Sequence, residues 1–138
     1  MSGAFQRVPG AALVQITVGS IDVWGINVNH EIYLYNRNRQ DFTKVSGTLI
    51  QITAGGGGLG SADEVWGINA SHEIYRFNNT SGSFDRIPGQ LIQIVGGTWG
   101  INASHEIYRF NETSDSFDRI PGQLIQISTG GIGGTWGI

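Results

Sequence analysis

The sequence predicts an all-β chain, a β-propeller of four-stranded antiparallel blades, and three observations predict it. A segment returns almost unchanged along the chain. The spacing within each copy is fixed, while one Gly-rich stretch absorbs all variation in length. Short runs of β-branched and aromatic residues alternate with turn residues, and no stretch has helical periodicity over a useful length.

Residues 66–94 recur as residues 99–127 with only Asn79 replaced by Glu112 and Gly82 by Asp115. Looser copies flank this pair, so Trp-Gly-Ile frames begin at Trp24, Trp66, Trp99 and Trp136. From each of the first three Trp residues to the Ile closing the next Gln-Ile pair (Ile52, Ile94, Ile127) the count is 28. From Ile16, Ile52, Ile94 and Ile127 to the following Trp it is 8, 14, 5 and 9. A rigid register marks paired strands, because a slip of one residue turns every side chain to the wrong face. The elastic stretch is Gly-rich and belongs in a surface loop.

Each element of the unit has its own signal. Phe117-Asp118-Arg119-Ile120 reads as an outer strand stopped by Pro121-Gly122, and Leu124-Ile125-Gln126-Ile127 as an apolar strand directly after it. The Trp-Gly-Ile strand of the preceding copy, Thr98-Trp99-Gly100-Ile101, leads into a polar turn, Asn102-Ala103-Ser104-His105. Glu106-Ile107-Tyr108-Arg109-Phe110-Asn111 is the last strand. Its apolar and aromatic side chains occupy both faces, as expected of a blade packed against two neighbours. Four Trp-Gly-Ile frames and four leading Phe residues (Phe5, Phe42, Phe84, Phe117) fit a three-unit β-trefoil badly. The chain divides as one domain, residues 1–138, with repeats of approximately 5–41, 42–83, 84–116 and an incomplete 117–138.

Composition excludes several functions. A net charge of −3 lacks the basic stripe that binding to a nucleic-acid backbone needs. With no cysteine, disulfides cannot staple the chain, and no apolar run approaches the ~20 residues of a membrane span. The N-terminus has no basic region followed by an apolar one, so a cytoplasmic location without membrane insertion is expected. The three His residues fall one per unit and so lie blades apart; no metal, cofactor or catalytic constellation is expected, and the chain reads as a non-enzyme.

The run Val65-Trp66-Gly67-Ile68-Asn69, His72-Glu73-Ile74-Tyr75-Arg76-Phe77, then Phe84, Arg86-Ile87-Pro88-Gly89 and Leu91-Ile92-Gln93-Ile94 resembles the tectonin repeat of mushroom tectonin-type lectins, fish-egg lectins and slime-mould proteins. The resemblance extends over residues 5–138. It implies a six-bladed propeller, no catalysis, and carbohydrate recognition, with O-methylated sugars as ligands in the mushroom branch. The sequence departs from that pattern in extent. It opens on an outer strand at Phe5 and reaches only the fourth Trp-Gly-Ile, which is less chain than a ring of 4 to 8 blades requires. Assembly of copies, most simply a homodimer, and membership of a longer protein both answer this. Recent duplication, selection on a repeated site and construction from repeats each account for the near-identity of the second and third copies.

Sugars require an apolar surface for their C–H faces and planar polar groups that chelate neighbouring hydroxyls. Asn69, His72, Glu73 and Arg76 with Trp66, and the twin set Asn102, His105, Glu106 and Arg109 with Trp99, supply those types once per unit. The first copy keeps Asn27, His30, Glu31 and Trp24 but has Leu34 in place of the arginine, so its site is expected to be weaker. The competing reading makes Trp66 and Trp99 wedges between blades, the histidines turn residues and the arginines partners in ion pairs. Two functional classes stand: a multivalent lectin with sites between blades, and a propeller that binds proteins through its variable loop face.

Overall fold

The structure, a computed structural model, describes residues 5–10, 12–55, 63–96, 99–130 and 134–137. The first sheet comprises β1 (Leu13–Val18), β2 (Val23–Asn27), β3 (Glu31–Asn36) and β4 (Asp41–Thr48). The second comprises β5 (Gln51–Gly55), β6 (Glu64–Ile68), β7 (Glu73–Asn78) and β8 (Ser83–Gln90). β9 (Gln93–Val95), β10 (Trp99–Ile101), β11 (Glu106–Asn111) and β12 (Ser116–Gln123) form the third, and β13 (Ile127–Gly130) pairs with β14 (Gly134–Gly137) as the start of a fourth. Every pairing is antiparallel between strands consecutive in sequence, as blades of a propeller require. No helix among the described residues is long and apolar enough to cross a membrane.

Three details differ from the sequence reading. Pro88 and Pro121 do not stop the outer strands: β8 and β12 run on to Gln90 and Gln123 through a bulge, where Glu106 faces Gln123 but Ile107 faces Ile120. An outer strand has a free edge that tolerates a proline, and Gly89, at φ +113°, supplies the unusual turn of the backbone there. The apolar strand starts later than expected, at Gln51, Gln93 and Ile127, because the preceding Leu-Ile carries the chain from one sheet to the next. The sheets therefore span 13–48, 51–90 and 93–123, so the outer strand closes a sheet where the sequence repeat was phased to open with it. Phe5 is fully exposed and lies outside any strand, although the Phe42 N–H donates to Pro9 O at 3.3 Å beside β4.

The core lies between sheets. Trp24 of the first sheet, 1% exposed, meets Phe77 and Phe84 of the second edge-on at 4.8 and 5.8 Å. Trp66 of the second, 0% exposed, meets Phe110 and Phe117 of the third at 4.8 and 5.6 Å. The glycine following each Trp is required by close packing: a Cβ on Gly67 would stand 2.3 Å from Leu49 Cδ1, and one on Gly100 2.4 Å from Leu91 Cδ1.

Two hydrogen bonds repeat at every junction. At the inner strands a glutamine Oε1 accepts from the Ile N–H of the next sheet, Gln15 from Ile52 at 3.3 Å, Gln51 from Ile94 at 3.0 Å and Gln93 from Ile127 at 3.1 Å. At the turns, the carbonyls of His30, His72 and His105 accept from the N–H of Leu49, Leu91 and Leu124 at 3.0 to 3.1 Å. These contacts hold the unit at constant length.

One junction has an extra tie. Asp63, 4% exposed, accepts from the N–H groups of Ser20, Ile21 and Asp22 and from the Ser20 hydroxyl, at 2.6 to 2.9 Å, joining the second sheet to the β1–β2 loop of the first. Burial alone would push this carboxyl up; the Ser20 hydroxyl and the three N–H groups outweigh it and bring the pKa from 3.8 to about 2. A depressed carboxylate stabilises the fold above its unfolded pKa and loses that contribution as pH falls through the folded one. The chain is therefore expected to lose about 2 kcal/mol between roughly pH 4 and pH 2 from this group, and Asp63→Asn to flatten that part of the stability profile in urea titrations at stepped pH. The same titrations at neutral pH test the core. Trp66→Ala should cost about 3–5 kcal/mol and Trp99→Ala, whose ring is half-buried, distinctly less.

Candidate functional site

Successive loops leave the sheets from opposite sides. The β1–β2 and β3–β4 loops meet on one side, where Arg37 Nη2 donates to Ile21 O. The β2–β3 type turns and the outer-strand bulges meet on the other, where Gln90 donates to Ser71 O at 3.4 Å and Gln123 to Ser104 O at 3.3 Å. This second side repeats with little change and carries the Asn-x-x-His segments.

Each Asn-x-x-His-Glu segment is a closed turn. Asn69 Oδ1 accepts from the N–H groups of Ser71 and Glu73 at 3.0 and 2.9 Å, and its Nδ2 donates to Glu73 Oε1 at 2.9 Å. Asn102 binds Ser104 and Glu106 with the same distances. His72 and His105 take φ +64°, a left-handed conformation that this turn imposes, and both imidazoles are exposed. Glu73 and Glu106 each reach an arginine that the candidate set omitted, with Arg86 Nε at 3.0 Å from Glu73 and Arg119 Nε at 2.8 Å from Glu106. The amide and carboxylate of each unit are thus largely engaged within the unit.

Arg76 belongs to the opposite side. It pairs with Glu64 at 2.6 Å and lies near Glu112 and Asp115 of the next sheet's loop at 3.5 and 4.0 Å. Its guanidinium sits 5.2 Å from the Trp66 ring centre and 5.4 Å from that of Phe110. Trp66 is fully buried and offers no ring face to a ligand. Arg109 lies over the half-buried Trp99 at 5.6 Å and is exposed. The candidate set therefore splits, with Asn69, His72, Glu73, Asn102, His105 and Glu106 on the turn side and Trp66, Arg76, Trp99 and Arg109 towards the loop side.

What the fold brings together is His72 of the second sheet with Asn102 of the third. They line a groove of about 540 Å³ between these sheets on the turn side. Arg86, Gln90, Ser104 and Tyr108 add polar groups, and Ile74, Pro88 and Phe117 add apolar surface. Arg86 keeps its guanidinium half exposed beyond its pairing with Glu73. The same position between the first and second sheets is a smaller groove of about 350 Å³, lined by Asn69 and Tyr75, with Ser46 and Thr48 where the larger groove has Pro88 and Gln90. Sequence reasoning missed Arg86, Gln90 and Tyr108. The signal for the first two was a contrast between copies: Arg86 and Gln90 recur as Arg119 and Gln123 but become Lys44 and Thr48 in the first copy, whereas the tyrosine is present in all three.

The model of the Tectonin domain matches residues 1–59 and again residues 58–138. The chain belongs to the tectonin domain family. This tectonin chain also shares its arrangement of strands with a solved structure, human WBSCR16, at a TM-score of 0.66 and 14% identity, a likeness of fold alone. The match covers 89% of the tectonin chain and 44% of the human one, so the chain spans less than half the length of that relative. A search of curated proteins finds no match.

A test separates the turn role of the histidine from contact with a ligand. Glycine adopts φ > 0 without the cost of about 1–2 kcal/mol that other residues incur. His72→Gly should therefore leave the urea midpoint within about 1 kcal/mol of the parent, since the gain is offset by the entropy of the unfolded chain. Any larger loss would show the imidazole holding the turn.

Proposed function

We propose that this tectonin chain is a multivalent carbohydrate-binding protein, a lectin without catalytic activity, that takes sugars in the turn-side grooves between consecutive sheets. The observation that carries this reading is the groove between the second and third sheets. It combines an exposed guanidinium, two side-chain amides, two hydroxyls and an imidazole with the apolar surfaces of Pro88 and Phe117. Sugar hydroxyls pair with planar polar groups, while their C–H faces need apolar surface.

The family resemblance supports O-methylated glycans as the ligand class, and the apolar floor gives a methyl group a place to leave water. Recurrence supports multivalency. The groove between the first and second sheets has the same position and a less polar lining, and fixed sites on one rigid frame raise avidity by roughly 10²–10⁴ without any new contact. Three histidines distributed one per sheet support a non-enzymatic role.

Arg86→Ala combined with Gln90→Ala should reduce binding on an array carrying plain and O-methylated glycans by at least about tenfold, the loss of one charge-assisted pair of hydrogen bonds. Arg76→Ala, on the loop side, should leave the array signal unchanged. The opposite pattern would move the site to the loop side. An array empty for the parent protein would favour recognition of a protein through the variable loops.

A further inference from the structure

The two turn-side grooves share one plan and differ in charge. Each sets an asparagine and a tyrosine against the bulged outer strand of the preceding sheet, Asn102 and Tyr108 in the larger groove, Asn69 and Tyr75 in the smaller. The larger adds the Arg86 guanidinium and the His72 imidazole, whereas no charged side chain lines the smaller. At the position of Arg86, opposite the strand tyrosine, the first sheet has Lys44; it pairs with Glu31 and does not line the groove.

The larger groove is also rich in donors. None of the residues lining it is an Asp or Glu, in a chain that holds 11 of them and carries a net charge of −3. Glu73 and Glu106, on the adjoining turns, are taken up within their own sheets, Glu73 by Asn69 and Arg86, Glu106 by Asn102 and Arg119. Glu73 sits at the Nε edge of Arg86, so the two Nη groups, which have no partner among the described residues, are left for a ligand. Asn102 Oδ1 is filled by the N–H groups of Ser104 and Glu106 and one Nδ2 hydrogen by Glu106, so this side chain has only an N–H to offer. A guanidinium accepts nothing. The smaller groove is lined instead by the hydroxyls of Ser46, Thr48, Tyr75 and Ser83, which donate and accept alike, as the hydroxyls of a neutral sugar do.

We propose that the larger groove takes an acidic sugar, one carrying a carboxylate or a sulfate, while the smaller takes neutral sugars, so that one chain reads glycans of two kinds. This inference rests on the carbohydrate-binding reading and adds selection by charge to it. The free Nη edge of Arg86 donates to two oxygens of the anionic group, which its planar fork matches. The remaining Asn102 N–H and the His72 side chain lie along the same groove as further donors. Pro88 and Phe117 receive the C–H face of the ring, and an O-methyl group on the same sugar keeps its place on that floor. Arg86 is the residue that discriminates: a cation held away by its own glutamate, as Lys44 is, leaves a groove without charge.

Binding of the intact chain to an array of terminal hexoses, each present as the neutral sugar, its uronic acid and its sulfate ester, tests it. At least one acidic form should bind tighter than its neutral twin by about tenfold or more, as expected of a charge-assisted pair of hydrogen bonds, and which form does so identifies the anion. The advantage should shrink as sodium chloride is raised. Arg86→Gln should bring the ratio of acidic to neutral affinity close to one, whereas Arg39→Gln, which removes the same charge from the loop side, should leave the ratio as it is. Should Arg86→Gln not fold, the milder Arg86→Lys, which copies the first sheet, should also lose most of the acidic advantage. Neutral sugars bound as tightly as both acidic forms overturn the proposal and leave the lectin reading standing, as does an acidic preference that survives Arg86→Gln. An array on which no sugar binds overturns both.

Discussion

The structure depends on a tryptophan driven between two sheets. No sheet of four short strands buries enough apolar surface alone, so the stabilising contacts lie in the slabs where Trp24 and Trp66 meet the next sheet's paired phenylalanines. The wedge dictates its neighbours. Ile68 shares its buried face, while Gly67, on the other face, leaves room for the leucine that brings the chain in from the preceding sheet. Trp-Gly-Ile is thus one packing solution written as three letters. Stability in such a design grows junction by junction, as in other repeat proteins.

The fold was legible because the junction fixes spacing. Strand pairing, the histidine carbonyl to leucine N–H bond and the glutamine to isoleucine bond leave no room for insertion, and the constant 28-residue interval records them. Less legible was where one sheet ends. The reading stopped the outer strand at Pro121, but a free edge admits proline and a bulge carries the strand on to Gln123. The crossing between sheets, Leu91-Ile92, is as apolar as a strand, and local pattern alone cannot distinguish the two.

The candidate site was legible only in part, for a related physical reason. In a repeat protein, recurrence marks whatever every copy needs, and every copy needs its turn. Asn102, His105 and Glu106 recur because an asparagine closes the turn on the glutamate and the next backbone position goes left-handed. Arg76 drew notice for the same recurrence, yet Glu64 and the next sheet's acidic loop hold it. The groove is composed across two sheets, from residues far apart in sequence such as His72 and Asn102. The positions that distinguish it, Arg86 against Lys44 and Gln90 against Thr48, are those where the copies differ.

Asp63 stands apart from the repetition. The second and third sheets are so alike that a folding chain could exchange their neighbours at little energetic cost, a known hazard of repeated domains. The loop of the first sheet gathers three N–H groups and a hydroxyl around one carboxylate, and the corresponding position of the third sheet is Gly96, which has none to offer. Of these two sheets, the second alone carries that carboxylate. A single buried carboxylate therefore makes the first junction chemically different from the second, although the sheets on either side repeat.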